Sequence, residues 1–259
     1  MRYYKIKALV FRDLKIFRRS KWRLAEYFYF PITTIIIWGL FALFTRDFSA
    51  ETGLMVLAVN VFWSFSYLAQ STVNMQMNED MWSGSFPQVM ASGFTPFEYL
   101  FARIVTATIV SVVIMVLMIA TALAFGLAVL IEQGGLVTLL SGVTLLGSIG
   151  LSVLVAALIL LFGREYSFLA WTILQVFVLL SAPLYPLDIL PQPLQVVAWG
   201  MPFTSVFEGV RELTSVGRIS SSVFINGAGI VFLYCLVSIP LYSLAFKKAR
   251  RNGMLARMF

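Results

Sequence analysis

The sequence predicts an all-α integral membrane protein with six transmembrane helices, an amino-terminal interfacial amphipathic helix and a re-entrant outer hairpin before the last span. Three observations lead there. The chain is 60% hydrophobic and 12% charged, with a mean hydropathy of +0.89, and so few charges cannot clothe a soluble core. Uncharged runs reach or exceed the ~20 residues needed to cross a bilayer. The basic residues behind the net charge of +7 gather at the two ends and beside apolar runs, the pattern of membrane orientation and anionic headgroups rather than of nucleic-acid binding. Residues 1–259 read as a single transmembrane domain.

Residues 2–24 carry nine basic side chains. On a helical wheel Ile6, Leu9, Val10, Leu14, Ile16 and Phe17 share one face, while Arg12, Lys15, Arg18 and Arg19 lie on the other, with Asp13 an exception. This predicts a basic helix lying in the interface plane. A positive-inside anchor satisfies the same residues. No small-residue cleavage site follows, so the segment does not read as a signal peptide.

The first span is expected at about 28–44, with Pro31 near its start. Arg46, Asp47 and Glu51 mark a polar turn, and a second span follows at about 54–73. Its Asn60, Ser64 and Ser71 form a stripe that suits bonding between helices more than a lined pathway. The longest polar interruption, 74–103, is broken by Gly84, Pro87, Gly93 and Pro96 and is expected in water, at a membrane surface or against a partner. Spans at about 104–131 and 136–162 flank the break Glu132-Gln-Gly-Gly135. Both exceed a ~30 Å hydrocarbon core and should tilt or project. Ala120, Ala124 and Ala128, like Ser148, Ser152 and Ala156, repeat at four-residue spacing that permits close packing.

A polar turn at 163–167 leads to a fifth span at about 168–184. Five of the nine prolines then fall between Pro183 and Pro202, so this apolar stretch cannot form one straight helix. A re-entrant outer hairpin over 183–212 fits, provided protein or water covers its backbone; a surface loop anchored by Tyr185 and Trp199 is the plainer reading. Glu208 and Arg211 stand three apart and can pair. The last span is expected at about 223–246, with a kink at Pro240, before a basic tail that includes Arg257. With both termini cytoplasmic, sixteen Lys and Arg fall inside and three outside.

The chemistry that is missing is as informative. There is no histidine, which excludes His-dependent metal sites and Ser-His hydrolysis. The single Cys235 excludes a disulfide framework. No phosphate-cradling Gly-x-x-x-x-Gly-Lys-[Ser/Thr] loop is present, and no span carries a midplane acid of the kind that ion-coupled carriers use. No residue set suggests a catalytic or metal site, so uphill movement of a substrate would need energy from another chain.

The order of a basic amphipathic helix, two spans, a cytosolic stretch, and further spans with a broken Pro-Leu-Asp-Ile-Leu-Pro-Gln-Pro segment before the last resembles the membrane subunit of type-2 ABC exporters. The broken segment leads into Pro202-Phe-Thr-Ser-Val-Phe-Glu-Gly-Val-Arg211. The family usually carries Glu-Arg and then Gly-Thr in the central stretch, where this chain has Asn78-Glu-Asp80 and Ser83-Gly-Ser85.

The resemblance implies a non-catalytic permease that moves a lipid-linked polysaccharide, a lipid or a hydrophobic compound outward across a prokaryotic cytoplasmic membrane. ATP and Mg would be bound by a partner cytosolic ABC ATPase and not by this chain. A second permease subunit is implied too, with a homodimer favoured, and no nucleic acid. It further implies a coupling helix around 83–92 that docks in the ATPase through Phe86, Val89 and Met90, with Glu79 and Asp80 as polar rim and Arg164 and Glu165 as a smaller contact. The outer hairpin, with Pro186, Asp188, Pro191, Pro202, Glu208 and Arg211, would form an external lid. Two other classes compete: a passive facilitator, and a lipid-modifying enzyme using Glu79, Asp80, Glu98 and Arg103.

Overall fold

The computed structural model describes residues 2–252; the side chains of Glu26 and Arg164 lie outside the described set, as does Arg257 of the basic tail. Helices α1 (Tyr3–Arg19) and α2 (Lys21–Leu24) pass through a π-helical turn, Ala25–Tyr29, into α3 (Phe30–Phe44). Ser20 separates the first two, accepting the Arg23 amide at 3.4 Å. There follow α4 (Arg46–Trp82), α5 (Ser85–Ala91), α6 (Pro96–Leu123), α7 (Val129–Glu132) and α8 (Gly134–Phe162). A 3-10 turn, Arg164–Phe168, then opens α9 (Leu169–Leu180). A 3-10 turn at Leu187–Ile189, α10 (Gln192–Trp199), α11 (Thr204–Val216) and α12 (Ser221–Arg251) complete the chain. No strand occurs among the described residues.

Helix α4 is the axis of the bundle. It packs against α3, α5, α6, α8, α9 and α11, while α8 and α12 form the most extensive pair. It also runs past the apolar limit expected at residue 73. Asn74, Gln76, Asn78 and Asp80 are all buried, so protein rather than water surrounds this polar end and the helix has no reason to stop where hydropathy falls. Gly84, at φ +68, makes the turn into α5, a conformation that costs glycine little.

Helix α6 differs from expectation at both ends. It begins eight residues early because Thr95 and Glu98 form a reciprocal cap, the Glu98 amide reaching Thr95 Oγ1 at 3.2 Å and the Thr95 amide reaching Glu98 Oε2 at 3.0 Å. It stops at Leu123, and Gly126 turns the chain at φ +89, so 124–131 is not part of a straight span. Among the described residues five helices are long and apolar enough to cross a membrane: Lys21–Phe44, Arg46–Trp82, Pro96–Leu123, Gly134–Phe162 and Ser221–Arg251. The segment expected to be the fifth span is shorter. Its apolar helix covers Glu165–Leu180, and the α-helical part of 12 residues gives only ~18 Å of rise. Helix α12 continues through Pro240.

The end of the proline-rich stretch packs against the bundle, while Pro186, Asp188 and Pro191 stay exposed. Helix α11 packs against α4, α8 and α12, and Pro202 and Phe203 sit opposite Gly147, halfway along α8. Arg211 ties the segment down, bonding Glu208 Oε1 at 2.6 Å and donating to the carbonyls of Ala182 and Pro183 at 2.9 and 3.1 Å. Gly227 of α12 lies where a Cβ would meet Ser205 Cβ at 2.8 Å. A Gly227→Val variant should therefore be destabilised by about 1–3 kcal/mol, read as a lower thermal midpoint in detergent; an unchanged midpoint would show that α11 and α12 can separate freely.

Candidate functional site

The residues with chemistry converge where α1 crosses the adjoining ends of α4 and α6. Arg103 is 1% exposed, and its guanidinium bridges two carboxylates, Asp13 through Nη1 and Asp80 through Nη2. Arg12 closes the cluster from α1, reaching Asp80 Oδ1 at 3.0 Å and Asp13 Oδ1 at 3.1 Å. The Tyr99 hydroxyl donates to Asp80 Oδ2 at 2.8 Å, and its ring lies 4.7 Å from the Arg103 guanidinium carbon. Two cations and two anions thus cancel, with hydrogen bonds on both carboxylates, the condition under which burying charge is tolerable.

This cluster holds α5 at its start. Ser85 Oγ donates to Asp80 Oδ1 at 2.9 Å and lies 3.0 Å from Ser83 Oγ. Phe86 is buried edge-on against Tyr99, with ring centroids 5.1 Å apart at 88°. The far end of α5 is held as well. Lys5 Nζ donates to the Ser92 and Gly93 carbonyls at 2.9 and 2.7 Å, and Arg2 Nη2 to the Gly93 carbonyl at 2.8 Å. Ser92 is the C-cap of α5 and Gly93 follows it, so both cations sit at the helix C-terminus, where positive charge is favoured. Arg2 also bonds Glu98 through its amide at 2.8 Å. The start of α5 is therefore held by Asp80 of α4 and its far end by Arg2 and by Lys5 of α1.

The expected residues are redistributed accordingly. Phe86 faces inward, and Val89 and Met90 are half-buried against the core, so the apolar stripe expected to meet a partner is largely covered by the chain itself. The exposed face of α5 is Pro87, Gln88 and Ala91. Asp80 lies inside the cluster instead of on a rim, whereas Glu79 is half-exposed and pairs with Arg23 at 2.5 Å.

Helix α1 rests its Ile6, Leu9 and Asp13 face on α6, so a neighbouring helix takes the side expected to lie on lipid. Ile16, expected on that face, is exposed, as are Lys15, Arg18 and Arg19, while Arg12 turns inward. The 163–168 turn stands beside the same end of α4: Asn78 Nδ2 donates to the Ser167 carbonyl at 3.2 Å and Trp82 stacks on Trp171 at 6.1 Å. Arg164 opens that turn and Glu165 is exposed on it. In the proline-rich segment Pro186, Asp188 and Pro191 are exposed, Pro202 is buried, and Glu208 and Arg211 are half-buried.

Sequence reasoning missed the union of Asp13, Tyr99 and Arg103. Its one visible signal was Asp13, a lone acid on a basic helix face. The Thr95-x-x-Glu98 spacing was likewise a legible cap signature. Glu79, Asp80 and Arg103 line one polar cavity, where each is held by an ion pair, whereas Glu98 lies apart from it and caps α6. Among the described residues no three of His, Cys, Asp and Glu stand close enough to share a metal.

The sequence profile of the ABC-2 type transporter family matches residues 4–214, from α1 to the end of α11. The chain belongs to that family. The resemblance read from the basic helix and the broken proline segment is thereby borne out, and this ABC-2 chain is a multi-pass membrane permease component of an ABC transporter. No curated protein matches it. In this ABC-2 chain the matched region contains every residue of the cluster and all of α5.

Proposed function

We propose that this chain is the permease half of an ATP-driven exporter, coupled to a separate cytosolic ATPase through the exposed face of α5. The observation that carries this is the suspension of α5: cation-to-carbonyl bonds hold one end, and the Asp80–Ser85 bond with the buried Phe86 holds the other. A short helix so fixed can transmit displacement. A push on Pro87, Gln88 or Ala91 passes through Asp80 and Arg103 to α4 and α6, and through α1 and Ser20 to α3. Two arrangements of these helices, biased by ATP binding in the partner, would open and close a path.

The rest of the reading follows the family. Six crossings, with Glu165–Leu180 completing the set, would leave both termini cytoplasmic in a prokaryotic inner membrane. The contact of Pro202 and Phe203 with the middle of α8 supports a re-entrant outer hairpin, with Arg211 as its clasp. Two permease subunits, a homodimer being favoured, would enclose the path for a lipid-linked polysaccharide, a lipid or a hydrophobic compound. Arg164 and Glu165 would add a second ATPase contact.

Purification through a carboxy-terminal tag in nanodiscs, with mass spectrometry and an ATPase assay, tests the coupling. A stoichiometric ATPase should be recovered with the wild type and lost in Gln88→Asp/Ala91→Asp, whose exposed positions leave the permease folded. Recovery of the permease alone, or an ATPase retained by the double variant, would overturn the assignment.

A further inference from the structure

Four hydrogen-bonding side chains stand along one ridge of α4 at four-residue spacing: Ser66, Gln70, Asn74 and Asn78, each 0% exposed. Two of them cross to the segment packed alongside. Gln70 Nε2 donates to the Ala170 carbonyl of α9 at 3.4 Å, and Asn78 Nδ2 to the Ser167 carbonyl in the turn below it at 3.2 Å. The other two turn back on their own helix, Ser66 Oγ to the Trp63 carbonyl at 2.8 Å and Asn74 Nδ2 to the Gln70 carbonyl at 3.2 Å. Idle and engaged donors thus alternate along the ridge. The side-chain oxygens of Gln70, Asn74 and Asn78 have no hydrogen-bond partner among the described residues, which is costly for buried amides. Apolar side chains at the two idle positions would suit a static seam better.

Helix α9 matches that spacing. It packs against α4 and α8, and its buried side, Ala170, Leu174 and Val178, also repeats every four residues. A slide by one turn, about 6 Å, therefore seats each side chain in the groove that its neighbour held. Toward the proline-rich segment, the Ser167 carbonyl leaves Asn78 for Asn74 and the Ala170 carbonyl leaves Gln70 for Ser66, so both bonds are remade. The opposite slide would carry Ser167 to Trp82, which is stacked on Trp171.

The two ends of α9 lie where such a displacement would be received and delivered. Below it the 3-10 turn presents the exposed Glu165. Above it Ala182, buried at φ +49, holds a left-handed conformation that strains any residue with a Cβ, and the Arg211 guanidinium grips its carbonyl. We propose that α9 is a push rod, sliding one turn along α4 as Ser66 and Asn74 replace Gln70 and Asn78 as donors, and so levering the proline-rich segment at Ala182. The slide rests on the transport reading for its driving force, ATP binding in the partner.

The test uses the permease with its ATPase in nanodiscs, in a Cys235→Ala background, and oxidative cross-linking of two cysteine pairs before and after trapping with ATP and vanadate. A disulfide needs Cα atoms within about 7 Å, so a slide of one turn moves a pair in or out of reach. Asn78→Cys/Ser167→Cys should cross-link at rest and lose the link on trapping, and Asn74→Cys/Ser167→Cys should do the reverse. Adding Asn74→Leu to the first pair, which removes the second donor, should keep its link through trapping. Adding Asn74→Ser, which retains a donor, should let it go.

Yields that trapping leaves unchanged in both pairs, or release of the first pair despite Asn74→Leu, would overturn the slide. A readout with the ladder intact decides the matter if the cysteine variants misfold. The slide parts Trp82 from Trp171, so trapping should change the tryptophan emission of the wild type and not that of Trp171→Phe; unchanged wild-type emission would also overturn it. Failure to recover an ATPase would remove the transport reading and the slide together. An ATPase that is trapped while α9 keeps its register would remove the slide alone.

Discussion

Arg103→Met is expected to destabilise the protein by about 3–5 kcal/mol, because removing one member of a buried ionic set strands the others. Among the described residues Arg103 and Arg12 alone touch both Asp13 and Asp80, and Arg12 is half-exposed and cannot neutralise two buried carboxylates alone. The loss should appear as a lower thermal midpoint and as new trypsin cleavage within α1, whose hold on α6 passes through Asp13. Arg103→Lys should be nearly as harmful, since an ammonium has no planar fork to bridge two carboxylates. A triple variant, Asp13→Asn/Arg103→Met/Asp80→Asn, should recover much of the loss, because it removes the stranded charges together. If Arg103→Met were neutral, the cluster would be hydrated and α1 would be held by Ile6 and Leu9 alone.

That expectation also shows what could and could not be read from the chain. Composition and run length reveal a membrane protein because they measure the solvent each segment tolerates, and five of the long helices fall where the apolar runs lie. What they measure is lipid against everything else; they do not separate water from protein. Asn74, Gln76, Asn78 and Asp80 therefore read as the start of a stretch in water, at a membrane surface or against a partner, although they end a helix buried among its neighbours.

The same blindness explains α1 and α5. An apolar stripe on an amphipathic helix demands a partner, and Ile6, Leu9 and Phe86 could have met lipid, an ATPase or their own chain. Periodicity alone cannot choose. Pairing is worse placed still, since Asp13 and Arg103 are ninety residues apart and only the fold brings them together. Among local signatures, Glu208 and Arg211 stand three apart and pair as expected, whereas the Thr95–Glu98 cap, encoded in its spacing, went unread.

Phe86→Ala is the second change expected to have a large effect, and it separates a structural from a docking role for that ring. Phe86 is 1% exposed and packs edge-on to Tyr99; truncating a buried phenylalanine typically costs about 3–5 kcal/mol. Tyr99 in turn holds Asp80, so the cavity should loosen the cluster as well as α5. The predicted result is a lowered thermal midpoint of the isolated permease, with no ATPase present, together with weaker recovery of the ATPase when it is.

An anchor that docked outward would behave differently, leaving the permease's own midpoint untouched and failing only in complex formation. Gln88→Asp/Ala91→Asp should show that second pattern. The contrast between the two variants, measured on the same preparation, decides whether α5 is gripped from within and read from without. Were Phe86→Ala to leave the midpoint unchanged, α5 would have to swing outward in solution, and the path from α5 through Asp80 to α4 would lose its rigid first link.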